Sequence, residues 1–197
     1  MIAELLRLTF RDARAAARRI MALDLPDSGV WLAYATVVVM GLAATVLSLA
    51  MMPVDPAIAD ANPVMYLAGH PYVAALFQGG FLVVLAAGIA FVGRRFGGIA
   101  RFRDGLLLVS WMEFVMICIQ AVQLVLVLIL PPVAMLTGIA AFALFFWLLT
   151  AFTAEANGFR SLPVVFLGII VCLFAAALLS GVAMVSLGLM PLPQPEV

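Results

Sequence analysis

A long apolar run from Gly105 to Leu130 constrains the possible folds of this chain more than any other feature of its sequence. A helix needs about 20 apolar residues to cross the hydrocarbon core of a bilayer, and this run is longer than that. The run also contains Glu113, Gln120 and Gln123. Glu113 and Gln120 lie two helical turns apart and share a face, with Gln123 at the edge of that face. Because a charged side chain at the bilayer centre costs about 2.5–3.5 kcal/mol, we expect a central helix whose polar face points toward protein.

The composition places the rest of the chain in the membrane as well. Of the 197 residues, 67% are hydrophobic and 10% are charged, whereas ordinary globular chains carry about 25% charged residues. Five apolar segments are long enough to be membrane spans, at about 29–52, 71–92, 105–130, 133–153 and 162–190. We therefore predict an all-α polytopic membrane protein, with a five-transmembrane-helix bundle over residues 28–190 and a tail at 191–197.

Residues 1–25 predict an amphipathic helix in front of this bundle. An apolar stripe runs along one side, and four arginines at near-fourfold spacing line another: Arg7, Arg11, Arg14 and Arg18. One interpretation is an interfacial helix at the membrane surface, where these arginines meet anionic headgroups. The other interpretation is a cytoplasmic helix that packs on the protein's own loops.

The arginines also predict an orientation. They lie near the amino terminus, in the loop at 94–103 and in the turn at 156–161, whereas the loop at 53–70, the Pro131-Pro132 turn and the tail have none. Because positive residues favour the cytoplasmic side, we expect a cytoplasmic amino terminus and a carboxyl terminus on the outer side. The charged residues assigned to the two cytoplasmic loops are Arg94, Arg95, Arg101, Arg103, Glu155 and Arg160.

Three short stretches resemble the Yip1-domain family of membrane proteins. They are residues 97–108 (GGIARFRDGLLL) before the third span, residues 155–161 (EANGFRS) before the last span, and residues 11–20 (RDARAAARRI) near the start. The resemblance implies five spans, a cytosolic amino terminus and an outward carboxyl terminus. For bacterial members it implies a membrane protein without a settled activity. The frequent arginine and alanine, with no lysine, suit a GC-rich bacterial genome, so we expect the bacterial inner membrane with a periplasmic carboxyl terminus.

The sequence has no arrangement of residues typical of a catalytic, cofactor or metal site. His70 is the only histidine. Cys118 and Cys172 both fall in apolar spans, and two thiols alone cannot complete a tetrahedral zinc site. The arginines are clustered and are balanced by an equal number of acidic residues, which argues against a nucleic-acid partner. We expect no enzymatic activity, no cofactor and no bound metal.

Two functions remain open. The first is a non-enzymatic scaffold, assembly factor or accessory subunit that binds other membrane proteins or a larger membrane complex within the lipid bilayer. The second is a small transporter or channel that uses Glu113, which predicts a wet cavity reaching that residue. If Glu113 is structural, it must be neutral or must accept a hydrogen bond, and the expected donors lie toward the cytoplasmic side: Tyr34, Thr150, Thr153, Arg94, Arg95 and Arg160.

Overall fold

The computed structural model describes residues 2–23, 25–51 and 70–186. Within these ranges every regular element is a helix, which confirms the all-α prediction. Five of the helices are long and apolar enough to cross a membrane, which confirms the prediction of a polytopic chain. Residues 52–69, from the end of the first predicted span into the following loop, lie outside the described residues. So do residues 187–197, which hold the end of the fifth predicted span and the predicted tail.

The described helices follow one another along the chain as α1 (Ile2–Arg11), α2 (Ala13–Met21), α3 (Asp27–Met51), α4 (Pro71–Ala87), α5 (Gly93–Arg95), α6 (Phe102–Ile129), α7 (Pro131–Asn157) and α8 (Leu162–Ser186). A π-helical turn, Gly88–Val92, joins α4 to the single turn of α5. The chain divides into two units, residues 1–160 and residues 161–197. Helix α8 belongs to the second unit and carries no charged residue.

The spanning helices extend beyond the apolar runs because polar residues can continue a helix outside the hydrocarbon. Helix α6 begins at Phe102 and carries Asp104 in its first turn. Helix α7 ends at Asn157, where Gly158 takes a left-handed φ of 73°, as the glycine at this position predicts. The two prolines predicted to form a tight turn, Pro131-Pro132, instead begin α7, because the first turn of a helix does not use the N–H group that proline lacks.

The amino-terminal segment forms two helices, whereas its periodicity predicts one. Asp12 has an extended backbone (φ −150°), and its carboxylate accepts a hydrogen bond of 2.9 Å from the N–H of Ala15. This is the usual geometry of a helix N-cap, for which aspartate is among the preferred residues. The break therefore lies at a residue whose side chain replaces a missing backbone hydrogen bond.

Helix α6 is central within residues 1–160. It contacts α3, α4 and α7, and α2 packs against both α6 and α7. Its first half is the most buried part, with Leu108 and Val115 fully enclosed. The backbones of α6 and α4 approach closely at Gly105, where a Cβ would lie 2.7 Å from the carbonyl oxygen of Ala86. This packing positions the polar face of α6 against its neighbours.

Candidate functional site

The helices of residues 1–160 bring the arginines to one end of this unit. Helices α3 and α6 begin at this end, the α4–α5 segment and α7 finish there, and α1 and α2 pack against it. We call this region, residues 2–30, 93–104 and 154–160, the arginine end. It carries all ten arginines of the chain.

Glu155 connects α2 to the last turn of α7. Its carboxylate accepts hydrogen bonds from Arg14 Nε at 2.7 Å and from Arg18 Nη1 at 3.0 Å. Arg14 and Arg18 lie one helical turn apart, so both can reach the same acceptor. Arg14 Nη2 also donates to the carbonyl oxygen of Phe159 at 2.9 Å. The Glu155 side chain is only 13% exposed, so this ion pair is partly shielded from solvent.

The apolar stripe of α1 and α2 is buried against the protein. Ala16 and Ala17 are fully buried, and Ile20 is nearly so. Thr9, also fully buried, accepts a hydrogen bond of 3.0 Å from Trp111 Nε1 of α6. Of the two arrangements that the sequence leaves open, packing on the protein is the one for which the structure provides contacts.

The four arginines predicted at the membrane surface separate into two pairs. Arg14 and Arg18 are bound to Glu155. Arg7 and Arg11 are exposed and form no ion pair with a described residue. No carboxylate of the described chain therefore competes with an outside ligand for the second pair.

Asn157 connects the end of α7 to the π-helical turn after α4. It is 3% exposed, and its Nδ2 donates to the carbonyl oxygens of Ile89 and Thr153, both at 3.0 Å. In the π-helical turn the N–H of Gly93 reaches back to Gly88, and Ile89 accepts from the asparagine. A Cβ on either Gly93 or Gly98 would collide with the Asn157 side chain. The glycines therefore provide the space that the asparagine occupies.

The predicted loop arginines have different surroundings. Arg103 donates to Asp27 at 3.1 Å and to the carbonyl oxygen of Leu25. Arg94 donates to the carbonyl oxygen of Ala90 and lies over the ring of Phe91, 4.8 Å from its centre. Three others are exposed and form no ion pair within the described chain: Arg95, Arg101 and Arg160.

The arginine end brings together the three stretches that resemble a known protein family, residues 11–20, 97–108 and 155–161. Residues 11–20 contact residues 155–161 through the arginine pair and Glu155. Residues 155–161 contact residues 97–108 where Asn157 lies against Gly98. The three stretches are far apart in the sequence, so the contacts between them are formed by the fold.

The intramembrane carboxylate has a partner that the sequence reasoning missed. Glu113 Oε1 accepts a hydrogen bond of 2.8 Å from Gln78 Nε2 of α4. None of the six expected donors fills this role; Tyr34, for example, packs over Gly79, where a Cβ would lie 2.6 Å from its hydroxyl. The expected donors lie at similar or shallower depth from the arginine end, but the packing of α4 on α6 brings a deeper residue into reach. Gln78 was a visible signal, as a lone amide in an apolar span.

The three polar residues of α6 contact three different helices. Glu113 pairs with α4, Gln120 Nε2 donates to Ser48 Oγ of α3 at 3.3 Å, and Gln123 Nε2 donates to the carbonyl oxygen of Ala134 of α7 at 3.3 Å. A Cβ on Gly41 of α3 would collide with the amide of Gln78, so the Glu113 pair also lies against α3. The polar face of α6 thus joins this helix to each of its spanning neighbours in the unit.

Two open pockets formed by described residues lie at the arginine end. One, of about 500 Å³, is lined by Glu4, Arg7, Leu8, Arg11, Asp12 and Arg19. The other, of about 180 Å³, is lined by Asp27, Val30, Trp31, Phe102, Arg103 and Leu106. Glu113 lines neither of them. Among the described residues, no three histidine, cysteine, aspartate or glutamate side chains lie close enough to hold a metal ion, and Cys118 and Cys172 are both free thiols.

Comparison with known protein families gives a match over most of the chain. A family model for the Yip1 domain matches residues 7–184. The match includes the second half of α1, nearly all of α8 and everything between them. It therefore covers all ten arginines and the polar face of α6. No curated protein and no solved structure matches significantly.

Proposed function

We propose that this protein, which belongs to the Yip1-domain family of membrane proteins, is a non-enzymatic scaffold, assembly factor or accessory subunit that binds other membrane proteins. The family match confirms the resemblance carried by residues 11–20, 97–108 and 155–161. The five apolar helices place the chain in a lipid bilayer. The scaffold role and the binding of other membrane proteins are the parts that we propose.

The observation that carries the proposal is the use of the polar groups inside the membrane. Glu113, Gln120 and Gln123 each contact a different neighbouring helix. Polar residues within spans commonly mark either a pathway or a helix contact. Here the contacts support a fixed arrangement of helices, which is what a scaffold presents to its partners. We therefore propose a structural role for Glu113.

The arginine end supports an orientation. All ten arginines lie there, and positive residues favour the cytoplasmic side. We propose a bacterial inner membrane location with the amino terminus in the cytoplasm and the carboxyl terminus in the periplasm. In this arrangement Arg7 and Arg11 face the headgroup region, while Arg14 and Arg18 hold α2 to α7.

Photocross-linking in intact cells tests the binding of other membrane proteins. A benzophenone side chain at Leu76 of α4, which is 77% exposed, should form cross-links to other proteins at native expression. The same side chain at Leu82, which is 2% exposed, is the matched control and should cross-link only within the chain. Cross-links from Leu76 that involve lipid alone, together with purification of this chain by itself in mild detergent, would contradict the proposal.

Proton flux tests the alternative function. A transporter that uses Glu113 should carry protons in proteoliposomes and lose this flux on Glu113→Gln substitution, with the fold intact. We expect no flux that depends on Glu113. A flux that disappears in the variant would overturn the structural role and favour transport.

A further inference from the structure

The connection between α5 and α6 exposes two large apolar side chains. Phe96 is 75% exposed and Ile99 is 77% exposed. They stand among the exposed arginines Arg94, Arg95 and Arg101. We call residues 94–101 the RFI loop. Apolar side chains among cationic ones are the pattern by which a segment binds a membrane interface.

The exposure of Phe96 and Ile99 belongs to a well-defined backbone. The N–H of Gly98 donates to the carbonyl oxygen of Gly93 at 2.9 Å, which closes a tight turn, and Gly97 takes a left-handed φ of 83°. Asn157 fills the space beside Gly98, and Ala100 is 2% exposed. The backbone is therefore held on the inner side while the apolar side chains point outward.

The charge of the RFI loop is uncompensated. Arg95 and Arg101 form no ion pair with a described residue, in contrast to the neighbouring Arg103, which pairs with Asp27. Arg94 donates one hydrogen bond to the backbone carbonyl of Ala90 and has no carboxylate partner among the described residues. Three guanidinium groups are thus available to an anion, and guanidinium binds phosphate oxygens well.

The position of the RFI loop relative to the membrane indicates which anion its arginines would bind. One candidate span ends at Arg95 and the next begins at Phe102, so the loop lies at the edge of the hydrocarbon, where phospholipid phosphates are found. We propose that the RFI loop is a binding site for anionic phospholipid, with Phe96 and Ile99 inserted below the headgroups and the three arginines on the phosphates. This goes beyond the scaffold function, because it makes the lipid a ligand of a defined site.

A spin label on the loop tests this directly. The label is attached at Ile99→Cys in the full chain with Cys118→Ala and Cys172→Ala, and the protein is reconstituted in vesicles of phosphatidylcholine, with or without phosphatidylglycerol. Its accessibility to oxygen and to a water-soluble nickel complex reports its depth. We expect a lipid-like position that becomes deeper when phosphatidylglycerol is added. A label at Ala22→Cys, an exposed position at the end of α2, should stay in water in both.

Two charge-matched double variants separate a site from general attraction. Arg95→Gln with Arg101→Gln should reduce the phosphatidylglycerol-dependent shift to less than half. Arg7→Gln with Arg11→Gln removes the same charge from exposed arginines that face headgroups away from the loop, and should reduce the shift by no more than about a fifth. Circular dichroism checks that both variants keep the helical fold.

Two outcomes would overturn the proposal. A label at Ile99→Cys that is accessible to the nickel complex in both vesicle types would show that the loop does not enter the bilayer, and would leave it as a surface for an acidic protein segment. An equal loss of the shift in both double variants would show that the response reflects net charge and that no site exists. Neither outcome bears on the cross-linking test of the scaffold function.

Discussion

Removing the carboxylate of Glu155 should weaken the docking of α2 on the rest of the unit. Glu155 holds α2 through Arg14 and Arg18, while Arg14 keeps one further hydrogen bond to the carbonyl of Phe159. In Glu155→Ala both charged contacts are lost. In Glu155→Gln a neutral acceptor of the same shape remains.

The size of the effect follows from the exposure of each pair. The Arg14 pair is short, at 2.7 Å, and its two side chains are 32% and 13% exposed; we assign it about 1.5 kcal/mol, the lower end for a charged hydrogen bond. The Arg18 side chain is 57% exposed, so its pair contributes about 0.5 kcal/mol. The loss in Glu155→Ala is then about 2 kcal/mol, or about 30-fold in the undocked population. Glu155→Gln should lose about half of this free energy, because charge assistance roughly doubles the strength of such a bond.

Hydrogen exchange of the amides in α2 measures the undocked population. Exchange over residues 13–20 should accelerate about 30-fold in Glu155→Ala and about fivefold in Glu155→Gln. The control is Glu4→Gln, which breaks the ion pair with Arg19, where both side chains are more than half exposed, and should accelerate exchange by no more than about twofold. If Glu155→Ala exchanges no faster than the control, the apolar face of α2 alone holds the helix in place.

Three further predictions concern packing, the intramembrane carboxylate and topology. Gly98→Ala should lower the free energy of unfolding by about 1–3 kcal/mol, because the new Cβ would collide with Asn157. The control Gly80→Ala, where a Cβ would have no atom within 4 Å, should be neutral or stabilising. Equal effects of the two substitutions in thermal unfolding would refute this. Glu113→Gln should keep its hydrogen bond and its melting temperature, while Glu113→Leu should cost about 0.6 kcal/mol; a larger loss in Glu113→Gln would require the ionised carboxylate. A periplasmic reporter should be active after Val197 and silent within residues 97–100, and the reverse pattern would overturn the orientation.

The membrane-spanning helices were predictable because the requirement that produces them is local. Each span needs enough consecutive apolar residues to cross the bilayer, and that count can be read along the chain. Helix ends were less predictable. Asp104 and Glu155 lie inside helices although they fall outside the apolar runs, since a helix can continue into the headgroup region where polar side chains are solvated.

The break between α1 and α2 occurs at a capping residue, and hydrophobic periodicity alone does not predict it. Arginines at near-fourfold spacing run on through Asp12, so the pattern predicts one helix. Asp12 is nevertheless a good N-cap, and its side chain caps Ala15. Beyond the break, the apolar face of α2 is buried against α6 and α7.

By itself, the sequence of this protein determined that its apolar segments lie in a membrane, that these segments are helical, and that its arginines lie at one end of them. It could do so because hydrophobicity and charge are properties of individual residues. Only the tertiary structure decided which polar groups meet. Gln78 reaches Glu113 across 35 residues, and Arg14 reaches Glu155 across 141. Such pairs depend on how neighbouring helices cross and on where glycines let them approach. In a bilayer a buried polar group pairs with whichever partner the packing brings within hydrogen-bond distance. The partner therefore depends on the fold and cannot be predicted from the local sequence pattern.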